Sequence, residues 1–211
     1  MITLARFRLL EAALRRDGYG YAIDWSETIG PAEDADDFAA RAIYVICNSG
    51  MKAIIAAGIF DRWMAALRQG QSLPDNVGHD GKRQGAAIIW QQRESLLAAY
   101  LEAEDPVAFL EQLPWIGPVT RHHLAKNLGI DDAKPDVHLE RLARRGETTT
   151  HKLCARLARQ TGYRMSTIDT ILWRACADGY LNSAVYEAHG WAKAIASDVV
   201  ASAQPSPSTD V

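Results

Sequence analysis

The sequence predicts an all-α protein, and three observations lead there. Apolar residues recur at three- and four-residue intervals in one segment after another. Gly, Pro and Asp gather between those segments, and no stretch of useful length alternates apolar with polar residues as a half-buried strand would. The chain has 211 residues, 48% of them apolar, which is enough for a core and suits one domain or two small lobes sharing a cleft. Disorder of the whole chain is excluded on the same ground.

Leu4 to Arg16 places Leu4, Phe7, Leu10, Ala13 and Leu14 on one helical stripe, and Asp17-Gly18 ends it. GYGYAIDWSETIGPAEDADD then reads as an irregular acidic linker. A long apolar run from Phe38 to Phe60 follows. Its charges, Arg41 and Lys52, argue against a membrane span, so it is read as a buried helix that breaks near Asn48 to Gly50, resumes, and continues to Leu67. RQGQSLPDNVGHDGKRQG is read as loop, and Ala86 to Glu102 as helix with Ile88, Ile89, Leu96, Leu97 and Tyr100 in the core.

Asp105-Pro106 opens a helix, an Asp cap followed by Pro at the first helical position, that runs to about Leu113. Pro118 opens the next helix and Gly129 closes it. Helices around Val137 to Arg145, His151 to Gln160 and Thr167 to Asp178 complete the body, with Thr150 and Ser166 as caps and Gly146, Gly162 and Gly179 as stops. The organisation expected is an N-terminal helix and acidic linker over 1–34, a helical domain of two lobes over 35–199, and a disordered Pro/Ser-rich tail over 200–211.

A net charge of -3 is no global sign of a nucleic-acid binder. The charge is uneven, however: Tyr21 to Ala40 holds six acids and no base, while Arg121 to Arg164 holds ten bases against half as many acids. A basic surface of that size could neutralise several phosphates, although solvated helix faces are the simpler reading. Cys47, Cys154 and Cys176 are odd in number, widely spaced and set among apolar residues, which describes buried thiols and neither a disulfide framework nor CxxC metal spacing. MITLARFRLLEAALRRDG is interrupted by charge every few residues, as neither a signal peptide nor a membrane span would be, so a soluble cytoplasmic protein is expected.

The informative stretch is EQLPWIGPVTRHHLAKNLGIDDAKPDVHLERLARR. Only Pro114, Trp115, Ile116 and Gly117 separate the helix ending near Leu113 from the one opening at Pro118, a spacing that suits a helix-hairpin-helix turn. Gly117 lets the backbone come close to a ligand there, and free amides at the following helix start attract an anion. LPWIGPVTRHHLAKNLGI followed by KPDVHLERLAR resembles the helix-hairpin-helix (HhH-GPD) DNA glycosylases, the base-excision-repair superfamily that includes endonuclease III. In that family an LPGxG turn and a helix precede a VDxHV-like segment whose Asp is catalytic. Leu113, Pro114, Ile116 and Gly117 match the turn; Asp136, Val137 and His138 match the second segment.

The likeness covers roughly residues 35 to 185. YVICNSGMKAIIAAGIFDRW stands where the family has its early helix pair and the loop that fills the gap left by a flipped base. VGHDGKRQGAAII resembles the family's glycine-and-lysine segment, and STIDTILWRACADGY resembles the late helix that packs behind the catalytic Asp. There are three departures. Trp115 replaces the turn's first glycine. Val119 stands where bifunctional members carry a nucleophilic Lys, which excludes a Schiff-base lyase step at that position. No cysteine follows Gly179, so the family's iron-sulfur loop is missing.

The resemblance implies an all-α, two-lobed bundle with a helix-hairpin-helix motif and a central cleft, acting as a monofunctional DNA glycosylase. It implies Asp136 as the catalytic group and Trp115, Gly117, Val119, Thr120, Arg121, Asn48, Ser49, Lys82 and His138 as DNA contacts. It further implies a monovalent cation, Na+ or K+, at the backbone of Leu113 and Ile116, no other cofactor, and action as a monomer on nucleoid duplex DNA that contains a damaged base. Each residue also has a plainer role open to it. Asp136 follows Pro135 and precedes a helical pattern, so it could be an ordinary N-cap, and the two roles are compatible because a helix start favours the carboxylate charge. Gly117 could be a turn glycine only, Asn48 and Ser49 a helix kink, Lys82 a surface cation and His138 a structural group. His122 and His123 are helix neighbours that point apart and make a poor metal pair. Trp90 and Trp173 fit core or pocket wall. The alternative from another class is a non-catalytic helix-hairpin-helix DNA-binding module.

Overall fold

The computed structural model describes residues 1–197 and 199; the tail expected over 200–211 lies outside the described residues. Apart from one antiparallel bridge between Leu181 and Ile195, the regular structure among the described residues is helical. In chain order the helices are α1 (Leu4–Arg16), α2 (Gly20–Thr28), α3 (Ala35–Asn48), α4 (Ala53–Arg68), α5 (Asp80–Gln91), α6 (Arg93–Glu102) and α7 (Pro106–Leu110). There follow α8 (Thr120–Asn127), α9 (Val137–Arg144), α10 (Thr150–Thr161), α11 (Met165–Ala177), α12 (Ser183–His189) and α13 (Trp191–Ala194). No helix among the described residues is long and apolar enough to cross a membrane. The helices form two compact units: a central one, Ile29–Ile130, and a terminal one in which Met1–Thr28 joins the described residues from Asp131 onward.

In the terminal unit the α1 stripe buries Phe7, Leu10, Ala13 and Leu14, as its spacing predicts, against a core that includes Leu139, Leu142, Leu157, Ile168 and Leu172. The segment expected as an irregular linker is instead partly helical. α2 buries Ile23 and Ser26 and packs on α11, where Ser26 Oγ bonds the Ile23 carbonyl at 2.8 Å and Thr167 Oγ1 at 3.1 Å. Tertiary burial overrides a segment with three glycines and little periodicity. Two expected caps also move. Thr149, not Thr150, caps α10 through Lys152 N–H. Ser166 is a buried residue inside α11, and its N–H is taken at 2.9 Å by Asp131, a carboxylate supplied from 35 residues away.

In the central unit Asp34 caps α3 by accepting from Asp37 N–H at 2.8 Å, and the helix breaks where expected, with Ser49 as its C-cap and Gly50 at φ +65°. The loop expected over 68–85 ends early, because Asp80 to Gly85 already belongs to α5. His79 caps that helix, its Nδ1 accepting from Gly81 N–H at 3.1 Å. The single helix expected to Glu102 is broken at Gln92. Ile88, expected in the core, is exposed, whereas Ile89 is fully buried. Asp105 caps α7 through Ala108 N–H at 2.9 Å with Pro106 at the first turn, as read from the sequence.

Gly129, at φ +82°, ends α8 and allows a close approach: a Cβ there would lie 2.6 Å from the Gly30 carbonyl carbon. Gly162, at φ +80°, has open space around its α-carbon. Gly129→Ala is therefore expected to destabilise by about 3 kcal/mol, left-handed strain plus overlap, and Gly162→Ala by only about 1 kcal/mol. Urea unfolding of the two variants checks the difference, and equal costs would contradict it.

Glu11 is a buried carboxylate of α1 that accepts from Arg8 at 2.6 Å and from the Tyr163 hydroxyl at 2.5 Å. Burial by itself pushes its pKa up, but the hydrogen bonds from Tyr163, Arg8 and Arg15 outweigh that and hold it below the ordinary 4.5. A depressed carboxylate contributes stability that is present above its unfolded value and lost as pH falls through the folded one. Below about pH 4.5 wild type is expected to lose stability more steeply than Glu11→Gln, as measured by urea midpoints across pH 3 to 6.

Candidate functional site

The hairpin lies in the central unit. α7 stops at Leu110, three residues before the expected end, since Pro114 has no N–H to donate and disfavours the α conformation at Leu113. The chain then closes short turns, Leu113 N–H to the Leu110 carbonyl at 3.2 Å and Ile116 N–H to the Leu113 carbonyl at 3.1 Å. The next helix opens at Thr120, with Arg121 N–H reaching back to the Gly117 carbonyl at 2.9 Å. Leu113 and Ile116 are buried, which anchors the turn in the core beside Leu124 and Leu110.

Gly117 carries no side chain and a Cβ there would meet nothing within 4 Å, so the backbone is open to close approach. Its own N–H is engaged, however: Thr120 Oγ1 accepts it at 2.7 Å. The amides that remain for an anion are those of Val119 and Thr120, first-turn groups for which a helix has no carbonyl of its own. Arg121 is held by Glu111 at 2.6 Å, both half-exposed, a pair weak enough for a phosphate to exchange into.

Trp115 is the turn's unusual residue. It adopts φ +63°, a left-handed conformation that suits glycine and strains a tryptophan. Its ring lies on the glycine face of α5. A Cβ on Gly81 would overlap the ring, and one on Gly85 would fall 2.7 Å from its Cδ1. The His79 ring stands 5.2 Å away, centroid to centroid. Trp115 is nevertheless 47% exposed, so one side is packed and the other faces solvent. This interlock is absent from the sequence reading, although the Gly81 and Gly85 spacing of four was a signal for one bare helix face.

The same helix meets the other candidates of this unit. Lys82 is buried rather than a surface cation, and its Nζ donates to the Ser49 carbonyl at 2.5 Å, closing the C-terminal end of α3. Burial lowers the Lys82 pKa, with partial opposition from the nearby Cys47, whose own thiol is pushed up to about 12 by burial. α5 thus brings Ser49 and Lys82 together, while Asn48 folds back to its own helix, Nδ2 donating to the Tyr44 carbonyl at 2.9 Å. Ile54 and Ile55, on the first turn of α4 just past this break, are 82% and 53% exposed. They were not singled out from sequence, and an isoleucine pair facing solvent at a helix start was the available signal. His122 turns to Arg121 and His123 to Tyr44, so the two rings go to different neighbours.

Asp136 lies in the terminal unit and caps α9: its Oδ1 accepts from His138 N–H at 3.0 Å and Leu139 N–H at 3.1 Å. Its second carboxylate oxygen takes no hydrogen bond among the described residues, and the side chain is half-buried. The loop leading to it is braced from α11. Asp169, 2% exposed, accepts the Lys134 N–H, and Asp131 accepts Ser166 N–H. His138 Nδ1 sits 2.8 Å from Ser183 Oγ, tying α9 to α12. The supports Asp169, Asp131 and Ser183 carry no local signal in the sequence, since each acts on a residue at least 35 positions away. Cys176 of α11 is close enough that the Asp136 charge adds to the burial holding its thiol near 12.

Comparison with protein-family models, curated proteins and solved structures finds no match to this chain.

The Trp115 interlock makes a specific demand on stability. Trp115→Ala keeps the left-handed strain and loses the ring, at a cost of about 2–3 kcal/mol for a half-exposed aromatic. Trp115→Gly loses the same ring but releases the strain, and is expected to be about 1 kcal/mol more stable than Trp115→Ala in urea. The reverse order would show that the backbone strain is not real.

Proposed function

We propose that the protein is a DNA N-glycosylase without lyase activity, releasing a damaged base, first an oxidised purine such as 8-oxoguanine or an alkylated purine, from duplex DNA. The observation that carries this reading is the state of Asp136. One oxygen is fixed by two backbone amides while the other has no partner among the described residues. A carboxylate so held cannot turn away, and its remaining oxygen can serve a reacting centre. The chemistry follows that of glycoside hydrolysis. The bond from deoxyribose C1′ to the base lengthens, positive charge develops on the sugar, and Asp136 stabilises it and orients the attacking water.

The base must leave the stack for this chemistry. In this reading each compact unit carries its own part of the machinery, the hairpin in one and Asp136 in the other. The hairpin amides of Val119 and Thr120 hold a backbone phosphate, Arg121 trades Glu111 for it, and the solvent-facing side of Trp115 meets the strand. The Leu113 carbonyl keeps one lone pair beyond the Ile116 N–H, enough to contribute to a monovalent cation that would steady the turn. The exposed Ile54 and Ile55 are better suited than Asn48, which is bonded to its own helix, to enter the gap left by the flipped nucleotide.

One observation favours the second reading, a DNA-binding module with no catalysis: the bonds of Asp136 to His138 and Leu139 N–H are those of an ordinary cap. Asp136→Asn separates the two, because Asn caps a helix as well as Asp does but carries no charge. Base release from a panel of damaged duplexes, scored as abasic sites after alkali, is expected to fall by about 100-fold or more in Asp136→Asn, with duplex affinity retained. Product yield equal to wild type, or none from wild type on any duplex, defeats the catalytic reading. A borohydride-trapped adduct would mean that a lysine attacks the sugar, against the hydrolytic step.

A further inference from the structure

The outer face of α10, in the terminal unit, carries charge that nothing on that helix opposes. Its inner side buries Leu153, Cys154 and Leu157. Lys152, Arg156 and Arg159 follow one another at four and three residues, the spacing that sets side chains over one another on one helix face. Lys152 and Arg159 are exposed, Arg156 is half-buried, and the helix contains no Asp or Glu. None of the three has an ion pair among the described residues. Arg156 bonds only neutral oxygens, Nη2 donating to the Ile2 carbonyl at 2.6 Å and Nη1 to Gln160 Oε1 at 3.4 Å.

Other helix arginines of this molecule are treated differently. Arg8 meets Glu11, Arg41 meets Asp37, Arg83 meets Asp80 and Arg144 meets Glu140, each pair three or four residues apart on one helix. Opposite charges at that spacing support a helix, and like charges destabilise it. On α10 the repulsion between Lys152 and Arg156, and between Arg156 and Arg159, is left in place. Lys152 adds to it, because it stands in the first turn, where the helix dipole disfavours a cation and where α10 has no acid. α1 widens the charged face. Arg6 Nη1 donates to the Met1 carbonyl at 2.8 Å, so the guanidinium groups of Arg6 and Arg156 are held by the carbonyls of adjacent residues. Arg6 also lacks an ion pair among the described residues. A carbonyl is a neutral acceptor, and both groups keep their charge.

We propose that Lys152, Arg156 and Arg159, with Arg6 beside them, form a contact for the phosphate backbone of duplex DNA, separate from the hairpin amides. Along the helix axis Arg156 lies about 6 Å and Arg159 about 10.5 Å from Lys152, and a strand advances about 3.4 Å per nucleotide, so the three cations are spaced for phosphates about two and three nucleotides apart. Such a contact holds the duplex without reading its sequence. Two other polyanions fit less well. A helix that lies on a lipid surface sinks large apolar side chains into it, and a protein interface has an apolar centre, whereas α10 exposes no large apolar residue. The contact takes DNA as partner from the function proposed above and needs nothing from Asp136.

Affinity of the full chain for an undamaged duplex, followed by fluorescence anisotropy between about 50 and 200 mM salt, tests this. Each lost phosphate contact removes about 0.9 from the slope of log affinity against log salt, so Lys152→Gln with Arg159→Gln is expected to bind about tenfold more weakly and with a slope shallower by about 2. Arg159→Lys keeps the charge and is expected to keep the slope. Arg68→Gln removes an exposed arginine of the central unit that also lacks an ion pair among the described residues, and is expected to change neither quantity. The double variant relieves repulsion and is expected to melt no lower than wild type; should it melt lower, the two single variants carry the test, each with a slope shallower by about 1. An unchanged slope in folded variants overturns the proposal, as does a wild type without salt-dependent duplex binding, or a loss of binding confined to phosphatidylserine vesicles. Base release keeps the two readings apart. An unchanged slope beside an inactive Asp136→Asn defeats this contact alone, while a shallower slope with no base released from any duplex upholds the contact and defeats the catalytic reading.

Discussion

The central unit depends on a ring set against two missing side chains. Trp115 can lie on α5 only because Gly81 and Gly85 offer no Cβ to that face, and it reaches there only by taking a left-handed backbone at φ +63°. The strain and the packing have opposite signs and comparable size: left-handed backbone costs a tryptophan roughly 1–2 kcal/mol, while a half-buried aromatic stabilises by somewhat more. The same helix sends Lys82 to the Ser49 carbonyl, so one element holds both the hairpin turn and the end of α3. A glycine in the Trp115 position would make the turn without strain but leave α5 unanchored to it. The turn therefore has a backbone that suits glycine while its side chain packs on α5.

In the terminal unit the corresponding constraint is electrostatic. Asp169 is 2% exposed, and a carboxylate so buried is tolerable only with donors directed at it. The Lys134 amide is one of them, so the loop approaching Asp136 is held by the carboxylate's need for partners. Asp131 does the reciprocal job, giving α11 a cap that its own sequence lacks. Asp136 inherits its position from both and then serves as a cap itself. Three acids near one another in space thus hold backbone amides in distinct ways, and what separates Asp136 from the others is a second oxygen without a partner among the described residues.

Those two arrangements mark where sequence reading succeeds and stops. Helix starts announced by local chemistry were legible: Asp105 before Pro106, Asp136 before Val137, and the break at Asn48 to Gly50 all appear where residue type and spacing put them. The buried thiols were legible too, since Cys47, Cys154 and Cys176 sit in apolar runs. What failed was set by partners far along the chain. α2 is helical because Ile23 and Ser26 find α11, and the start of α5 is helical although HDGKRQG has the composition of a loop. Lys82 looked like a surface cation because nothing near it in sequence reveals the Ser49 carbonyl that it reaches. Ser166 looked like a cap because Asp131, which replaces that role, is 35 residues away.

Charge follows the same logic. Counted along the chain, Arg121 to Arg164 is a basic run, yet the fold divides it between two units and neutralises much of it. Arg121 meets Glu111, Arg141 and Arg144 meet Glu187, and Arg164 lies 4.0 Å from Asp131. Lys126 is only 8% exposed. Paired charges cancel within a few ångströms and contribute little field beyond the Debye length of about 8–10 Å. The arginines with no ion pair among the described residues include Arg6, Arg145 and Arg156, and the first lies outside the run altogether. The net charge of the whole chain is -3. Any hold this protein has on a polyanion must then come from directed donors, the first-turn amides of α8 and a few unpaired guanidinium groups, because the summed charge of its surface works against it.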